Sequence, residues 1–512
     1  MDSYNATADL LDRNVDEGRG AKTAFIDHHR SLTYAQLQAD TRRMANMLTT
    51  LGVRREERVL MVTADTVEFP IIFLGAIRAG VVPVPVNTLL ATDQYAYMLE
   101  DSRASVLFVS QPLLATVEPV LKASPYLRHV VVIGDESAAS QHIDFAKALA
   151  AEKPEFTIAA THADETAFWL YSSGSTGRPK GARHVHTSMM QTAKLFAQGV
   201  VGFNENDVVH SAAKLFFAYG LGNGLSFPMS VGATAILNPL RPAPDTVMDV
   251  LEKHQPSIFC GVPTLFAAIL HDTKLADRKG SARLRICTSA GEALPEHIGK
   301  SFAARFGADI IDGVGSTEML HIFLSNAPGD IVYGTSGRAV PGYELRLLSD
   351  TLEPVADGDV GELYVKGSTA ADGYWNQRDK SRSTFQGEWT RTGDKYTRDA
   401  TGRYTYCGRA DDMFKVSGIW VSPFEVEAAL ASHPAILEAA VVPAADAEGL
   451  LKPKAYIVLK DGASTADLEA SLKDHVKNSV GMWKYPRWIE VRESLPKTAT
   501  GKIQRFKLRD EE

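Results

Sequence analysis

The chain has 512 residues, 45% hydrophobic and 23% charged, with a formal net charge of −8. That length exceeds one ordinary domain and allows a substantial core without covalent staples, while the acidic balance argues against a global nucleic-acid or anionic-membrane partner. Three cysteines, Cys260, Cys287 and Cys407, stand far apart without metal-ligand spacing, which disfavours disulfides or structural zinc and suits a reducing, cytoplasmic setting.

The opening residues carry no basic segment leading into an apolar one, so no signal peptide is expected. Tyr34, Leu37, Thr41, Met44, Leu48 and Leu51 recur at helical spacing, and Gly52 sits where that helix would stop. The most hydrophobic stretch, Ile71 to Val86, is broken by Arg78, Pro83 and Pro85 and is too short to span a bilayer. Short β-branched runs at Arg58 to Val62, Ser105 to Ser110 and His129 to Ile133 alternate with segments of helical length. That alternation predicts buried, largely parallel sheets. After about Gly334 the texture changes, and Glu344 to Leu348 and Gly361 to Val365 read as strands of a small barrel or antiparallel sheet. The last hundred or so residues hold a further mixed unit: an acidic helix around Glu425 to Leu430, strands near Ala439 and Lys454, and a basic tail. A short hinge is placed near Gly408 to Asp412.

Chemistry enters with Tyr171-Ser-Ser-Gly-Ser-Thr-Gly-Arg-Pro-Lys-Gly181, which follows the strand-like segment Ala167 to Leu170. Its glycines free the backbone to wrap an anion, its hydroxyls supply donors, and Lys180 supplies charge. It lacks the order of a kinase or GTPase P-loop, yet reads as a phosphate cradle. Four further blocks follow: Asp312-Gly-Val-Gly-Ser-Thr-Glu318, Trp389-Thr-Arg-Thr-Gly-Asp394, Tyr406-Cys-Gly-Arg-Ala-Asp-Asp412 and Pro496-Lys-Thr-Ala-Thr-Gly-Lys502. Singly, Glu318 reads as a helix cap, Asp394 as a turn residue and Lys502 as one more charge in a basic tail. In this order, the five blocks resemble the acyl-adenylate-forming superfamily of acyl- and aryl-CoA ligases, luciferases and peptide-synthetase adenylation domains.

The resemblance implies an α/β fold. In that fold a large N-terminal domain, expected over 1–410, would have two stacked, mainly parallel sheets and a small β-barrel, and a small mobile α+β domain would cover 411–512. It implies that Ser172, Ser173, Gly174, Ser175, Thr176, Gly177 and Lys180 hold the phosphates of ATP, that Asp312 and Gly313 line the adenine, and that Asp394 and Arg409 lie at the ribose. It further implies that Thr317 contacts phosphate, that Glu318 helps hold Mg²⁺, that Lys502 is the catalytic lysine and that Asp411 is the hinge. Gly418 and Trp420, in the run after the hinge, would line a tunnel for CoA, although Trp420 reads equally well as a core aromatic.

Ser211-Ala-Ala-Lys-Leu-Phe-Phe-Ala-Tyr-Gly-Leu-Gly-Asn223, Ser289-Ala-Gly-Glu292 and Met319-Leu-His-Ile-Phe323 resemble the benzoate–CoA and 4-hydroxybenzoate–CoA ligases. Ala218, Tyr219, Ala290 and Gly291 would form a flat slot for an aromatic acid, with His321 closing one end or bonding a ring substituent. Phe216 is read as core. Gly481 to Pro486 and the Tyr4-Asn-Ala segment favour the hydroxybenzoate enzymes, and Met319 to His321 favours the benzoate ones, so the para substituent stays open. Arg183 departs from the family pattern, and solvent exposure is its expected fate. Three rivals share the fold: a carrier-protein adenylation module, a luciferase-like oxidase and a non-catalytic nucleotide-binding regulator. Homodimerisation is compatible with the family, and nothing in the sequence speaks to it.

Overall fold

The computed structural model describes residues 3–134, 141–172, 178–410, 412–416, 419–448, 450–460, 462–463, 467–482, 484–497, 503–509 and 511. Its first long α-helix, Tyr34–Thr50, starts at Thr33, whose hydroxyl accepts from the Gln36 amide while the Gln36 side chain reaches back to the Thr33 amide. This reciprocal cap satisfies amide donors that a helix start otherwise leaves open. Tyr34, Leu37, Thr41, Met44 and Leu48 form the buried stripe, and Gly52 turns the chain away with a φ of +69°.

Two large sheets organise the N-terminal part among the described residues. In the first, Val82–Pro85, Arg58–Val62, Val106–Ser110, His129–Ile133 and Ile143–Asp144 lie side by side in parallel register. Val106–Ser110 is buried along its whole length, as a parallel strand covered on both faces must be. The second sheet runs through Arg338–Ala339, Ile322–Ser325, Ile310–Gly315, Ile286–Ser289, Ile258–Gly261, Val208–Ser211, Thr234–Ile236, Thr23–Ile26 and Ser31–Thr33. It is parallel in its middle and antiparallel at both edges. One continuous core joins residues from both sheets, including Phe25, Phe73, Phe108, Phe168 and Phe323.

The segment expected to form a small barrel or antiparallel sheet is a five-stranded antiparallel sheet built from Glu344–Leu348, Gly361–Lys366, Phe385–Gln386, Trp389–Arg398 and Tyr404–Arg409. A smaller sheet of Thr166–Ser172, Lys180–Val185 and Gly373–Tyr374 carries the ends of the phosphate-type loop.

The C-terminal part has its own core. Helices Pro423–Ala431 and Leu468–Val480 cover one face of the sheet Ile436–Ala445, Leu451–Leu459 and Trp488–Val491. The final helix, Arg505–Arg509, covers the other face through Leu508 against Ala440, Val442 and Tyr456. Its cations tie this end back to the start of the unit: Arg505 pairs with Glu427 at 2.5 Å and with Asp412 at 3.6 Å, and Arg509 pairs with Asp412 at 3.1 Å. No helix among the described residues is long and apolar enough to cross a membrane.

Candidate active site

The described ends of the sequence signature lie on two antiparallel strands, Thr166–Ser172 and Lys180–Val185. Ser172 and Lys180 are cross-strand partners, which clamps these two flanks together. Helix Thr92–Ser102 reinforces the clamp from below. Tyr171 donates to the Asp101 carboxylate at 2.7 Å, and Tyr97 donates to the Pro179 carbonyl at 3.1 Å. The Arg178 guanidinium lies over the Tyr97 ring at 5.2 Å. Tyr97 and Asp101 are four residues apart, so one helix face serves both flanks. Ser173, Gly174, Ser175, Thr176 and Gly177 lie outside the described residues.

Glu318 stands against this strand pair. Its Oε1 accepts from Tyr374 Oη at 2.6 Å and from Ser172 Oγ at 3.1 Å, and Lys180 Nζ reaches the same Tyr374 hydroxyl at 3.3 Å. Burial lowers the pKa of Lys180, with Glu318 pulling the other way. Burial and then the Glu318 charge push the Tyr374 phenol upward, so it remains a protonated donor. His184 lies stacked on Phe168 beneath Thr317 and Glu318, and burial brings its pKa down to about 4, which keeps it neutral. Thr317 is half-buried beside Glu318.

Asp312 and Gly313 lie at the inner end of their block. Both are buried in the Ile310–Gly315 strand, and the accessible part of their block begins at Val314. The Asp312 carboxylate accepts the Leu294 amide at 3.3 Å, and burial raises its pKa to about 7. Asp394 and Arg409 are brought together as cross-strand partners, with guanidinium and carboxylate 3.0 Å apart. Gly393, at φ +74°, gives the guanidinium room: a Cβ there would sit 2.8 Å from Arg409. Arg183 pairs with Asp372 at 2.8 Å and keeps about a third of its side chain exposed, so its charge is matched at the surface.

The proposed slot residues converge on one strand end. Tyr219, in helix Ala218–Leu221, shares a 2.7 Å hydrogen bond with Thr288 Oγ1 on the strand that ends at Ser289 and leads into Ala290 and Gly291. His321 is buried among the rings of Phe196, Tyr219 and Phe227. Its Nε2 faces the Tyr219 carbonyl at 3.3 Å, and its Nδ1 has no partner. Burial lowers its pKa to about 3. A neutral ring donating from Nε2 leaves Nδ1 as a bare acceptor. Gly222 makes the arrangement sterically possible, because a Cβ there would stand 2.4 Å from the imidazole. Phe216 is buried, in line with its reading as core.

Residues 11–375 match the family profile described as AMP-binding enzyme, and residues 425–502 match the profile of its C-terminal domain. The chain belongs to the AMP-binding enzyme family. It is 54% identical to a 4-hydroxybenzoate–CoA/benzoate–CoA ligase of Rhodopseudomonas palustris, over 99% of this chain and 94% of the relative. It is also 54% identical to a benzoate–CoA ligase of Thauera aromatica, over 99% and 96%. The fold superposes on a benzoate CoA ligase from Burkholderia xenovorans with a TM-score of 0.92 at 51% identity, covering 99% of this chain and all of the other. An anthranilate CoA ligase solved with anthranoyl-AMP gives 0.96 at 42% identity, covering 99% and 97%.

Lys502, Asp411 and Gly418 fall outside the described residues. Trp420 is placed by backbone alone, in the short strand Ile419–Val421 paired with Phe414–Val416. Sequence reasoning missed Tyr374, Thr288, Tyr97 and Asp101. Each reaches the site through strand or helix register with a distant segment, and a local motif carries no signal for that.

Proposed function

We propose that this AMP-binding enzyme is an ATP-dependent aryl-acid–CoA ligase that converts benzoate or 4-hydroxybenzoate to its CoA thioester through an acyl-adenylate, releasing AMP and pyrophosphate. The observation that carries the reading is full-length identity of 54% to ligases named for these two acids. The hydrogen-bonded Tyr219 and Thr288, with the Tyr219 ring against His321, would supply an aromatic wall for such an acid.

A carboxylate is a poor electrophile, and attack on the α-phosphate of ATP gives its carbonyl a good leaving group in AMP. Negative charge then builds on the phosphoryl oxygens and must be met by fixed cations and donors. Lys180 and Ser172, cross-strand partners, would meet the phosphates, and Asp394 with Arg409, paired at 3.0 Å, would meet the ribose hydroxyls. Thr317 and the hydroxyls of the loop, Thr176 among them, would add further donors to phosphate. Mg²⁺ fits the donor set: among the described residues no cluster of three ligating side chains exists, but this ion is commonly held by one or two carboxylates together with substrate phosphates. Glu318 is the carboxylate that would hold it. When bound, the ion would neutralise the charge developing on the phosphates.

Lys502 would bridge the substrate carboxylate and the forming phosphate bond. A division at Asp411, with 1–410 as one body and 411–512 as a rotating one, would then withdraw Lys502 and admit CoA past Gly418 and Trp420 for attack by its thiolate. The need for ATP and CoA suits a cytoplasmic enzyme. His321 Nδ1, a buried acceptor without a partner, favours acceptance of a ring hydroxyl beside the unsubstituted acid.

The deciding experiment offers benzoate, 4-hydroxybenzoate, 2-aminobenzoate, cyclohexanecarboxylate and octanoate with Mg-ATP and CoA and measures AMP. Turnover confined to planar aromatic acids is expected. Preference for octanoate, or AMP formation with no ring acid, would overturn the aryl reading.

A further inference from the structure

Lys180 and Glu318 are opposite charges on neighbouring segments, yet they form no direct ion pair. Between them stands Tyr374. Its hydroxyl donates to Glu318 Oε1 at 2.6 Å and accepts from Lys180 Nζ at 3.3 Å, and the ammonium also lies 4.4 Å from the ring centroid. We infer that Tyr374 is a positioning residue that holds Lys180 and Glu318 apart, so that the ammonium stays directed to the nucleotide phosphates and the carboxylate to their metal ion. The inference rests on the roles given above to Lys180 and Glu318.

The wedge is rigid. Tyr374 pairs with Ala182 and Gly373 with Arg183, and the Trp375 amide bonds the Gly181 carbonyl. This register sets Tyr374 alongside the strand that begins at Lys180. Its amide donates to Ser381 Oγ at 2.9 Å, its ring packs on Phe385 at 5.4 Å, and only 5% of the residue is exposed. Glu318 is held by the same stretch of chain, since the Ala371 amide donates to the Glu318 carbonyl at 2.7 Å and Thr369 Oγ1 donates to the Met319 carbonyl at 2.9 Å. Strand pairing therefore places phenol and carboxylate together before any ligand arrives, as a preorganised site requires.

A phenol suits this task chemically. It satisfies one carboxylate oxygen without neutralising the carboxylate, and it offers a lone pair to the ammonium without binding it as an ion would. Without the hydroxyl, the two charges close on each other in a half-buried site, where their attraction exceeds that in bulk water. Both are then lost to the incoming nucleotide at once.

The test uses the full-length enzyme, Tyr374→Phe, Lys180→Met and the double variant. Mg-ATP binding is measured by titration calorimetry, and the two half-reactions are measured separately: pyrophosphate release with benzoate, and thioester formation from supplied benzoyl-adenylate and CoA. Tyr374→Phe keeps the ring and its packing. It is expected to weaken Mg-ATP binding and raise the KM for ATP about tenfold, leaving the KM for benzoate and the thioester step within about twofold of wild type. In the Lys180→Met background there is no ammonium to close on Glu318, so adding Tyr374→Phe is expected to cost nothing further.

Unchanged Mg-ATP binding by Tyr374→Phe overturns the inference while the proposed function stands. So does an equal loss in both half-reactions that persists in the Lys180→Met background, because that is the signature of general structural damage. Failure of the wild type itself to bind Mg-ATP would remove the proposed function and the inference together.

Discussion

Acidification from pH 7 to pH 5 is expected to destabilise the N-terminal part of this protein by about 4 kcal/mol. His184, His186, His210 and His321 are all buried. Burial lowers the first three from 6.5 to about 4 and His321 to about 3. A depressed folded-state pKa means that the stability is present above the unfolded value and is lost as pH falls from about 6.5 towards 4. Over the interval from pH 7 to 5 each imidazole accounts for roughly 2 kcal/mol, or about 7 kcal/mol for the four.

Asp312 and Asp65 oppose this. Burial raises them from 3.8 to about 7 and about 6, so their contribution is present at low pH and is lost as pH rises through those values. Acidification returns roughly 3.5 kcal/mol from this pair, which leaves a net loss near 4 kcal/mol out of a typical 5–15 kcal/mol. Urea unfolding followed by tryptophan fluorescence at pH 7, 6 and 5, at fixed ionic strength, reads this directly. His210→Asn should lower stability at pH 7 yet flatten the slope by about one proton. Stability that holds constant or rises on acidification would refute the claim that the fold carries these four imidazoles neutral.

Other outcomes follow from the site. Lys502→Ala should reduce adenylate formation at least about a hundredfold while sparing thioester formation from supplied adenylate, and equal loss in both half-reactions would reject that division of labour. Asp394→Ala removes the carboxylate paired with Arg409 and should raise the KM for ATP about tenfold, with the KM for benzoate unchanged in the same steady-state assay. Tyr219→Phe breaks the bond to Thr288 and should cost about 1 kcal/mol in urea unfolding. It should also shift the KM for the aromatic acid more than the KM for ATP.

Much of this was readable from residue pattern because the signals were local. The stripe from Tyr34 to Leu48 became a helix ending where Gly52 stands, and Arg58 to Val62 and His129 to Ile133 became strands with those bounds. Period and punctuation are encoded within a few residues of each other. The cross-strand meeting of Asp394 with Arg409 was implied only by their assignment to one ligand, and the antiparallel register supplies its geometry. Tyr374 was invisible for a different reason. Its importance lies in pairing with a strand nearly two hundred residues earlier, and an isolated tyrosine between glycine and tryptophan looks like ordinary core. The burial of Asp312, whose strand pairs with Ser289 and whose carboxylate accepts the Leu294 amide, was not legible either, because no spacing rule distinguishes the two faces of a short strand flanked by glycine.

The ties from Arg505 and Arg509 to Asp412 have a mechanical consequence. They join the two extremities of the C-terminal unit, so that it behaves as a closed hoop rather than a bead on a string. Force applied at the last helix is shared between the sheet on which Leu508 packs and the residue beside Asp411. Anchoring the enzyme to a support by its C-terminus would thus strain the pivot proposed there, whereas anchoring through the N-terminal body would leave the hoop free to turn.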